Sequence, residues 1–492
     1  MAGLHCAVRP RRLWRWYLIS EQPAEILMLL PDEPGQYSTG GAVRAWHFLT
    51  LLCRLGRLTG FILSQGVSAE TVLATGERCR LVRVSPDAAK VRMPSWQRYF
   101  QVLVTPWKNR GRQLLLAGHN ICVERSGAAG FQFWHWCYGL YLLLVFILLR
   151  RLAAIDPVDC HVRGALIDGQ LRQIRGHYGQ RQPDLIWVEH SYLYSVAEQL
   201  QRHFPGARIA VNAHNVETQL KAGGARRHGS WLGRCWLQQE AALAAAIERR
   251  MVRNAWLILS CSQADAARFA GMVSAGAAAR ASILVAANGV DTAYFACAAG
   301  CTTEIADRVV FTGTAGYGPN DDAVKWLLQE IWPIIRQSCP RAALTLAGRG
   351  AGIRWLPMTQ GMPDVQVISD PVDMRPVLQR AALAIVPLRS GSGTRLKIVE
   401  SMSMGVPVVS TEIGAEGLQL VAGSEVLLED TAEGLAAATV RLLQNESLRR
   451  ALSQAGRARA TRDYDWQQIT ATIGRSLTQL DPRFSISEAS CG

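Results

Sequence analysis

Pro387 closes a short apolar run, and LRSGSGTRLKIVE follows it at 388–400. Gly391 and Gly393, on either side of Ser392, let the backbone approach a ligand closely, and Thr394 is placed to cap the helix that starts there. Exposed amides at such a start cradle phosphate oxygens. Arg395 and Lys397 add two cations, and Glu400, about a turn further on, offers a carboxylate to two adjacent hydroxyls, as a ribose requires. Each feature alone is ordinary: a Gly-Ser-Gly-Thr loop is usually a turn, and a lone helix glutamate is usually a surface residue. Together, between an apolar strand and PVVST, they point to a nucleotide diphosphate site.

Such a loop needs a parallel sheet behind it. In the second half, apolar runs at 309–312, 343–347, 365–368, 383–387 and 407–410 read as strands, alternating with helices at 321–337, 374–382, 396–404 and 432–443. The first half repeats this grammar. Its opening strand EILMLLP (25–31) leads through Gly40 and Gly41, read as a turn, into an amphipathic helix over 42–55. Further strands are expected at 58–63, 80–84, 185–188, 208–213, 255–260 and 283–287, with helices at 193–203 and 238–250. The fold class is therefore α/β, with two Rossmann-like domains facing across a cleft. The expected division is a basic tail (1–24), a first domain (25–293) interrupted by an insertion at about 86–182, a linker (294–306) and a second domain (307–460). A helix and tail (461–492) complete the chain, and the helical stretch 446–480 is long enough to pack back across both domains.

With these motifs in place, the second half resembles the nucleotide-sugar domain of retaining GT-B glycosyltransferases of family 4. It is closest in pattern to the bacterial branch that assembles exopolysaccharide or capsule, including the transferases associated with the PEP-CTERM/exosortase system. The stretches that carry the resemblance are VVFTGTAGYGPNDDAVKWL (309–327), DPVDMRPVL from Asp370, and PLRSGSGTRLKIVESMSMGVPVVSTEIGAEGL (387–418). Weaker similarity at 26–63 and 184–466 brings the coverage to roughly 350 residues. The resemblance implies a GT-B fold and transfer of a sugar from a UDP- or GDP-sugar to a saccharide acceptor, lipid-linked in this branch, with no obligatory metal. Glu400 matches the second glutamate of the family's Glu-x7-Glu pattern, the ribose contact. Ser392 stands where the first glutamate would be, so the amides of 391–394 are expected to take over those contacts.

The resemblance also distributes roles in the rest of the chain. Gly40, Gly41, Gly313 and Glu416 join 391–394 and Glu400 on the donor side. Arg395 and Lys397 are expected to stabilise the leaving diphosphate. His214, in the AHNVE stretch, matches the histidine placed beside the transferred sugar, where an imidazole steadies charge at the anomeric centre. Glu189, His190, Asn215 and Glu217 are acceptor-side candidates. No carboxylate is assignable as a nucleophile, so a front-side route is expected, with the diphosphate taking the acceptor proton and the enzyme supplying alignment.

Composition narrows the alternatives. A chain of 492 residues with 49% hydrophobic and 19% charged residues is a globular, enzyme-sized protein of about two domains. The net charge is +14, and nine Lys or Arg residues face one acid, Asp87, between Arg78 and Arg112. No nucleic-acid-binding motif accompanies that charge, so an anionic membrane surface or a solvated basic face are the readings kept. The segment FQFWHWCYGLYLLLVFILL (131–149) is long enough to lie in a bilayer interface or to form a buried helix. A single span is disfavoured, because it would separate the flanking globular parts. The expected location is cytoplasmic, peripheral or monotopic on the inner face of the cytoplasmic membrane. Twelve scattered cysteines contain no Cys-x-x-Cys, which fits reduced thiols rather than a metal site. A nicotinamide enzyme would need Gly-x-Gly-x-x-Gly after the first strand, which is absent. A non-catalytic nucleotide-sugar or polysaccharide binding protein, and a GT-B-like epimerase, remain as alternatives.

Overall fold

The computed structural model describes residues 23–31, 40–63, 71–75, 79–84, 164–227, 231–272, 281–296, 305–390 and 395–485. The basic tail, the hydrophobic segment 131–149, most of the basic stretch after Arg78 and the loop 391–394 lie outside the described residues.

Two separate sheets form. The first contains β1 (Ala24–Leu30), β2 (Gly56–Leu63), β3 (Thr71–Thr75), β4 (Cys79–Val84), β5 (Leu185–Glu189), β6 (Arg208–Asn212), β7 (Leu257–Ser260) and β8 (Ser282–Val285), in the order β3-β4-β2-β1-β5-β6-β7-β8. All neighbours are parallel except β3, which runs antiparallel to β4 at the edge. The second contains β9 (Ile305–Thr312), β10 (Ala343–Gly348), β11 (Val365–Ser369), β12 (Ala381–Val386), β13 (Val408–Ser410) and β14 (Leu427–Leu428). Its order is β11-β10-β9-β12-β13-β14, parallel throughout. Strands such as LIWVE and AALAIV are buried at every position because helices cover both faces of each sheet. This is the GT-B arrangement of two Rossmann-like domains.

The strand order reverses once in each sheet, between β1 and β5 and between β9 and β12. Loops leaving the carboxyl ends of these neighbours diverge and open a crevice, the place where α/β sheets bind ligands. His190 follows β5, Gly313 follows β9, and the loop leading to Lys397 follows β12. Topology alone thus brings much of the candidate set to two crevices.

The chain crosses between domains twice, side by side. Val290 N–H donates to Tyr464 O (2.7 Å) and Trp466 N–H to Val290 O (3.2 Å). A Cβ on Gly289 would stand 2.8 Å from Tyr464 O and 2.9 Å from the Trp466 ring, so the two crossings touch only because that residue is glycine. Past the crossing, Trp466, Ile469, Ile473 and Leu477 of the last helix (Trp466–Leu480) join the first domain's core beside Ile26, Met28 and Phe48.

Several expected elements are corrected. Gly40 and Gly41 are not a turn before the helix but its first turn (Gly40–Leu55). Helix 321–337 is interrupted by a π turn, Leu327–Ile331, before Trp332–Ser338; Pro333 supplies no N–H to an α-helical ladder there. Helix 374–382 shortens to Arg375–Gln379 because the apolar run from Ala381 is claimed by β12. The stretch 446–480 is two helices, and Asp465 caps the second by accepting from Gln467 N–H (2.8 Å). Within the expected insertion, helix Gly164–Tyr178 packs Leu171, Ile174 and Tyr178 into the first domain's core.

Candidate functional site

The second-domain side is built on the helix Leu396–Ser403. Its N-cap position is Arg395, one residue later than the Thr394 cap expected from sequence, and no side chain caps it. Lys397 and Glu400 are three residues apart and share one face. Lys397 Nζ donates to Asn320 Oδ1 (2.8 Å) and lies 4.3 Å from the centroid of the Phe311 ring. Gly313 makes this reach possible, since a Cβ there would stand 2.9 Å from Lys397 Nζ and 2.8 Å from Asn320 Nδ2. Gly348 fits for the same reason: a Cβ would fall 1.7 Å from Gly313 O.

The electrostatics are those of a site in which neither ion is fully paid off. Burial pushes the Lys397 ammonium down to about 7, reinforced by Arg395 and opposed by Glu400. Burial likewise raises the Glu400 carboxyl to about 7, opposed by Lys397. An amide and a ring face hold the ammonium, whereas Arg389, outside the cavity lining, has a full partner in Asp322 (2.6 Å). The arrangement can therefore take a diphosphate on Lys397 and hydroxyls on Glu400.

Gly313, Lys397 and Glu400 line one cavity of about 450 Å³ between the domains. Val43 and His47 from the first helix close its far wall, and Asp291 and Trp466 come from the two crossings. A second cavity, about 600 Å³, opens beyond His47 and contains none of the candidate residues. Arg395 turns away from the shared cavity: it is 7% exposed and donates to Ile413 O (3.4 Å). Burial lowers its pKa, while Tyr317 and Glu416 act in the opposite direction. Glu416 reaches the first domain, 3.4 Å from Arg268.

On the first-domain side, Gly41 lies over two stacked imidazoles. A Cβ there would stand 3.4 Å from His214 Nδ1 and 3.7 Å from His190 Nε2, and the ring centroids of His190 and His214 are 3.7 Å apart. His190 adopts φ 75°, a region rare for a residue with a Cβ, and its N–H donates to Asn212 O (3.0 Å). This backbone bend at the end of β5 accompanies the ring stack.

Behind His214 sits Glu189, fully buried. Its carboxylate accepts from Trp187 Nε1 (2.7 Å) and from Asn212 Nδ2 on both oxygens (3.1 and 3.0 Å), and Oε2 is 2.7 Å from His214 Nε2. Burial raises the Glu189 pKa; the hydrogen bonds from Trp187 and Asn212 oppose it. Burial, then Arg44, pushes His214 well below the usual imidazole range, and burial takes His190 to about 3. Both rings are neutral near pH 7.

The acceptor-side candidates therefore divide. Glu189 faces His214 from within the domain rather than the cleft, and His190 stacks beside that ring. Asn215 is half-buried, and Glu217 is buried in the first turn of helix Glu217–Arg227. There Glu248 accepts from Glu217 N–H (2.7 Å) and the Thr218 hydroxyl (2.5 Å), satisfying the helix start.

Sequence reasoning missed Arg44, Asn212 and Asn320. Arg44 had a legible signal: it falls on the same helix stripe as Phe48, Leu51 and Leu55, where a charge needs buried partners. Asn212 and Asn320 carried none.

The two-sheet architecture is that of the GT-B fold. Residues 306–445 match the family model of glycosyl transferases group 1. A glycogen synthase from Mycobacterium tuberculosis is 27% identical over 286 residues, 55% of this chain. The match spans 66% of that relative's length. Sucrose-phosphate synthase from Thermosynechococcus elongatus superposes with a TM-score of 0.61 at 16% identity, covering 93% of this chain and 99% of that one. The Anabaena protein HepE in complex with UDP-glucose gives 0.55 at 13% identity, covering 93% and 100%. At these identities the structural likeness is one of fold.

Proposed function

We propose that this protein is a retaining glycosyltransferase that moves a sugar from a nucleotide diphosphate sugar to a saccharide acceptor, lipid-linked, in bacterial exopolysaccharide or capsule synthesis. The observation that carries the reading is the shared cavity, which sets Lys397 and Glu400 of one domain opposite the first helix of the other. In this reading Lys397 receives charge as the diphosphate departs, with Arg395 supporting from the buried side, and Glu400 holds the ribose hydroxyls. The Gly-Ser-Gly-Thr motif at 391–394 is the sequence feature that would complete the phosphate cradle. His214, neutral and locked in place, aligns the reacting sugar, and the leaving diphosphate takes the acceptor proton. A UDP-sugar is the donor to try first, since the similarly folded HepE was crystallised with UDP-glucose.

The basic stretch after Arg78 and the hydrophobic segment 131–149 support placement on the inner face of the cytoplasmic membrane, where a lipid-linked acceptor and a soluble donor meet. Among the described residues, no helix is long and apolar enough to cross a membrane. The deciding experiment incubates the purified protein with UDP- and GDP-sugars and native membrane lipids. Nucleoside diphosphate release coupled to a larger lipid-linked saccharide is the expected result. Donor binding without release returns the protein to the binding class, and an epimerised donor makes it an epimerase.

A further inference from the structure

Arg44 is a fully buried cation whose hydrogen-bond acceptors among the described residues are all neutral oxygens. Its Nε and Nη2 donate to Asn212 Oδ1 (2.9 and 2.6 Å). Its Nη1 donates to Ala286 O (2.8 Å), Ala287 O (3.2 Å) and Asn288 Oδ1 (2.9 Å), and the guanidinium lies 5.0 Å from the Phe48 ring centroid. A buried charge is tolerated only when opposite charge is within reach. Here the reach is indirect. With Asn212 Oδ1 committed to Arg44, the amide must turn its NH2 toward Glu189, where it meets both carboxylate oxygens.

We propose that Arg44 is a positioning residue which, through Asn212 and Glu189, selects the tautomer of His214. The proposal rests on the reading of His214 as part of the reacting site. An ionised Glu189 is acceptor-only, so the 2.7 Å contact places the proton on His214 Nε2 and leaves Nδ1 as a lone pair. Nδ1 is the ring nitrogen beneath Gly41. A protonated Glu189 would donate to Nε2 and turn Nδ1 into a donor. Among the described residues, besides Trp187, Asn212 and Arg44, the groups facing this pair are the His190 ring, stacked on His214, and the Cys261 thiol, which donates to His214 O (3.2 Å). Neither supplies positive charge near pH 7, since His190 is neutral and burial raises the Cys261 thiol. Burial favours the protonated carboxyl; the hydrogen bonds from Trp187 and Asn212 oppose it most, and the Arg44 charge adds to them. By fixing the Asn212 amide with its NH2 toward Glu189, Arg44 biases the site toward offering a hydroxyl an acceptor rather than a donor.

The test is a ring 15N–1H multiple-bond correlation spectrum of histidine-labelled protein at pH about 7.5, with H214Q identifying the His214 signals. The wild type is expected to show His214 as the Nε2–H tautomer. R44M should move it to Nδ1–H, R44K should retain it in part, and E189Q, whose amide donates to Nε2, should show Nδ1–H. With UDP-glucose as the probe, R44M should lower kcat by about 10–100-fold, the scale seen for groups that orient a functional imidazole. KM should hold, and activity should recover as rising pH ionises Glu189. A wild-type His214 that is Nδ1–H or an imidazolium overturns the proposal, as does a folded R44M that keeps both the wild-type tautomer and the wild-type pH profile. If neither arginine variant folds, E189Q decides, and an unchanged tautomer there is fatal. Failure of UDP-glucose turnover in the wild type bears on the nucleotide-sugar reading alone, because the spectrum needs no substrate.

Discussion

The two walls of the cleft handle charge in opposite ways. On the second-domain wall, Lys397 and Glu400 are half-buried, and burial pushes both to about 7. On the first-domain side, Glu189 is sealed inside the domain, surrounded by Trp187, Asn212 and His214, and its neighbouring imidazoles are neutral. One wall gains when an anion arrives, and the other has its polar groups satisfied beforehand. A transferase needs both properties. Charge accumulates on the leaving diphosphate and must meet an uncancelled cation, whereas the sugar has to be held in one orientation by groups that do not reorganise.

Breaking the receptive wall should have the largest effect. Lys397→Ala removes one of the two cations that line the cavity, the other being Arg349, and turnover is expected to fall by about 10²–10³, the scale of one lost electrostatic donor at a transition state. Single-turnover kinetics at saturating donor measure this directly. A fall smaller than about threefold would show that the diphosphate charge is carried elsewhere, with the amides of 391–394 the first place to look.

Glu400→Gln comes next and separates binding from chemistry. Loss of a charged acceptor for ribose should weaken nucleoside diphosphate binding by about 1.5–3 kcal/mol, read by calorimetry, with little change in Tm. The pH dependence sharpens the point. Lys397, lowered to about 7, must be protonated to bind diphosphate, so affinity falls as pH rises through that value. Glu400, raised to about 7, must be ionised to accept from hydroxyls, so affinity also falls as pH drops through it. A bell centred near neutrality is expected, with proton uptake on binding above its centre. Glu400→Gln should abolish the acid limb and keep the alkaline one. An acid limb that survives in the variant would assign it to another group.

The same contrast explains which features are legible in the amino-acid sequence. The receptive wall is local in sequence: Lys397 and Glu400 lie three positions apart on one helix, and their shared face follows from its period. Most strands were legible because parallel strands buried on two faces are continuous apolar runs. The edge strand Thr71–Thr75 and the two-residue β14 lack that signature. The pre-satisfied wall was harder. Arg44, Glu189, Asn212 and His214 come from one helix and two strand ends, joined by register rather than by spacing. Glu189 and His214 drew notice as chemistry-bearing types at strand ends. Their burial, and the arginine behind them, depend on pairings such as Glu189 with Asn212 that only the folded sheet supplies.

The smallest expected effect lies where the walls touch. Glu416 of the second domain and Arg268 of the first are 3.4 Å apart and both partly exposed, with side-chain exposures of 46% and 35%. A pair in such surroundings is worth about 0–1 kcal/mol and weakens with salt. If that pair were the whole role of Glu416, Glu416→Gln and Arg268→Ala would weaken UDP binding equally, and the losses would vanish together at high ionic strength. The donor-side role proposed for Glu416 gives a different pattern. Its loss should weaken UDP-sugar binding beyond the loss in Arg268→Ala, and the excess should persist in salt, because a contact inside a closed cleft is screened less than a rim pair. Titrating UDP-glucose into both single variants and the double variant, at low and high salt, separates the two. Equal, salt-sensitive losses would remove Glu416 from the donor site and leave it as a latch between the domains.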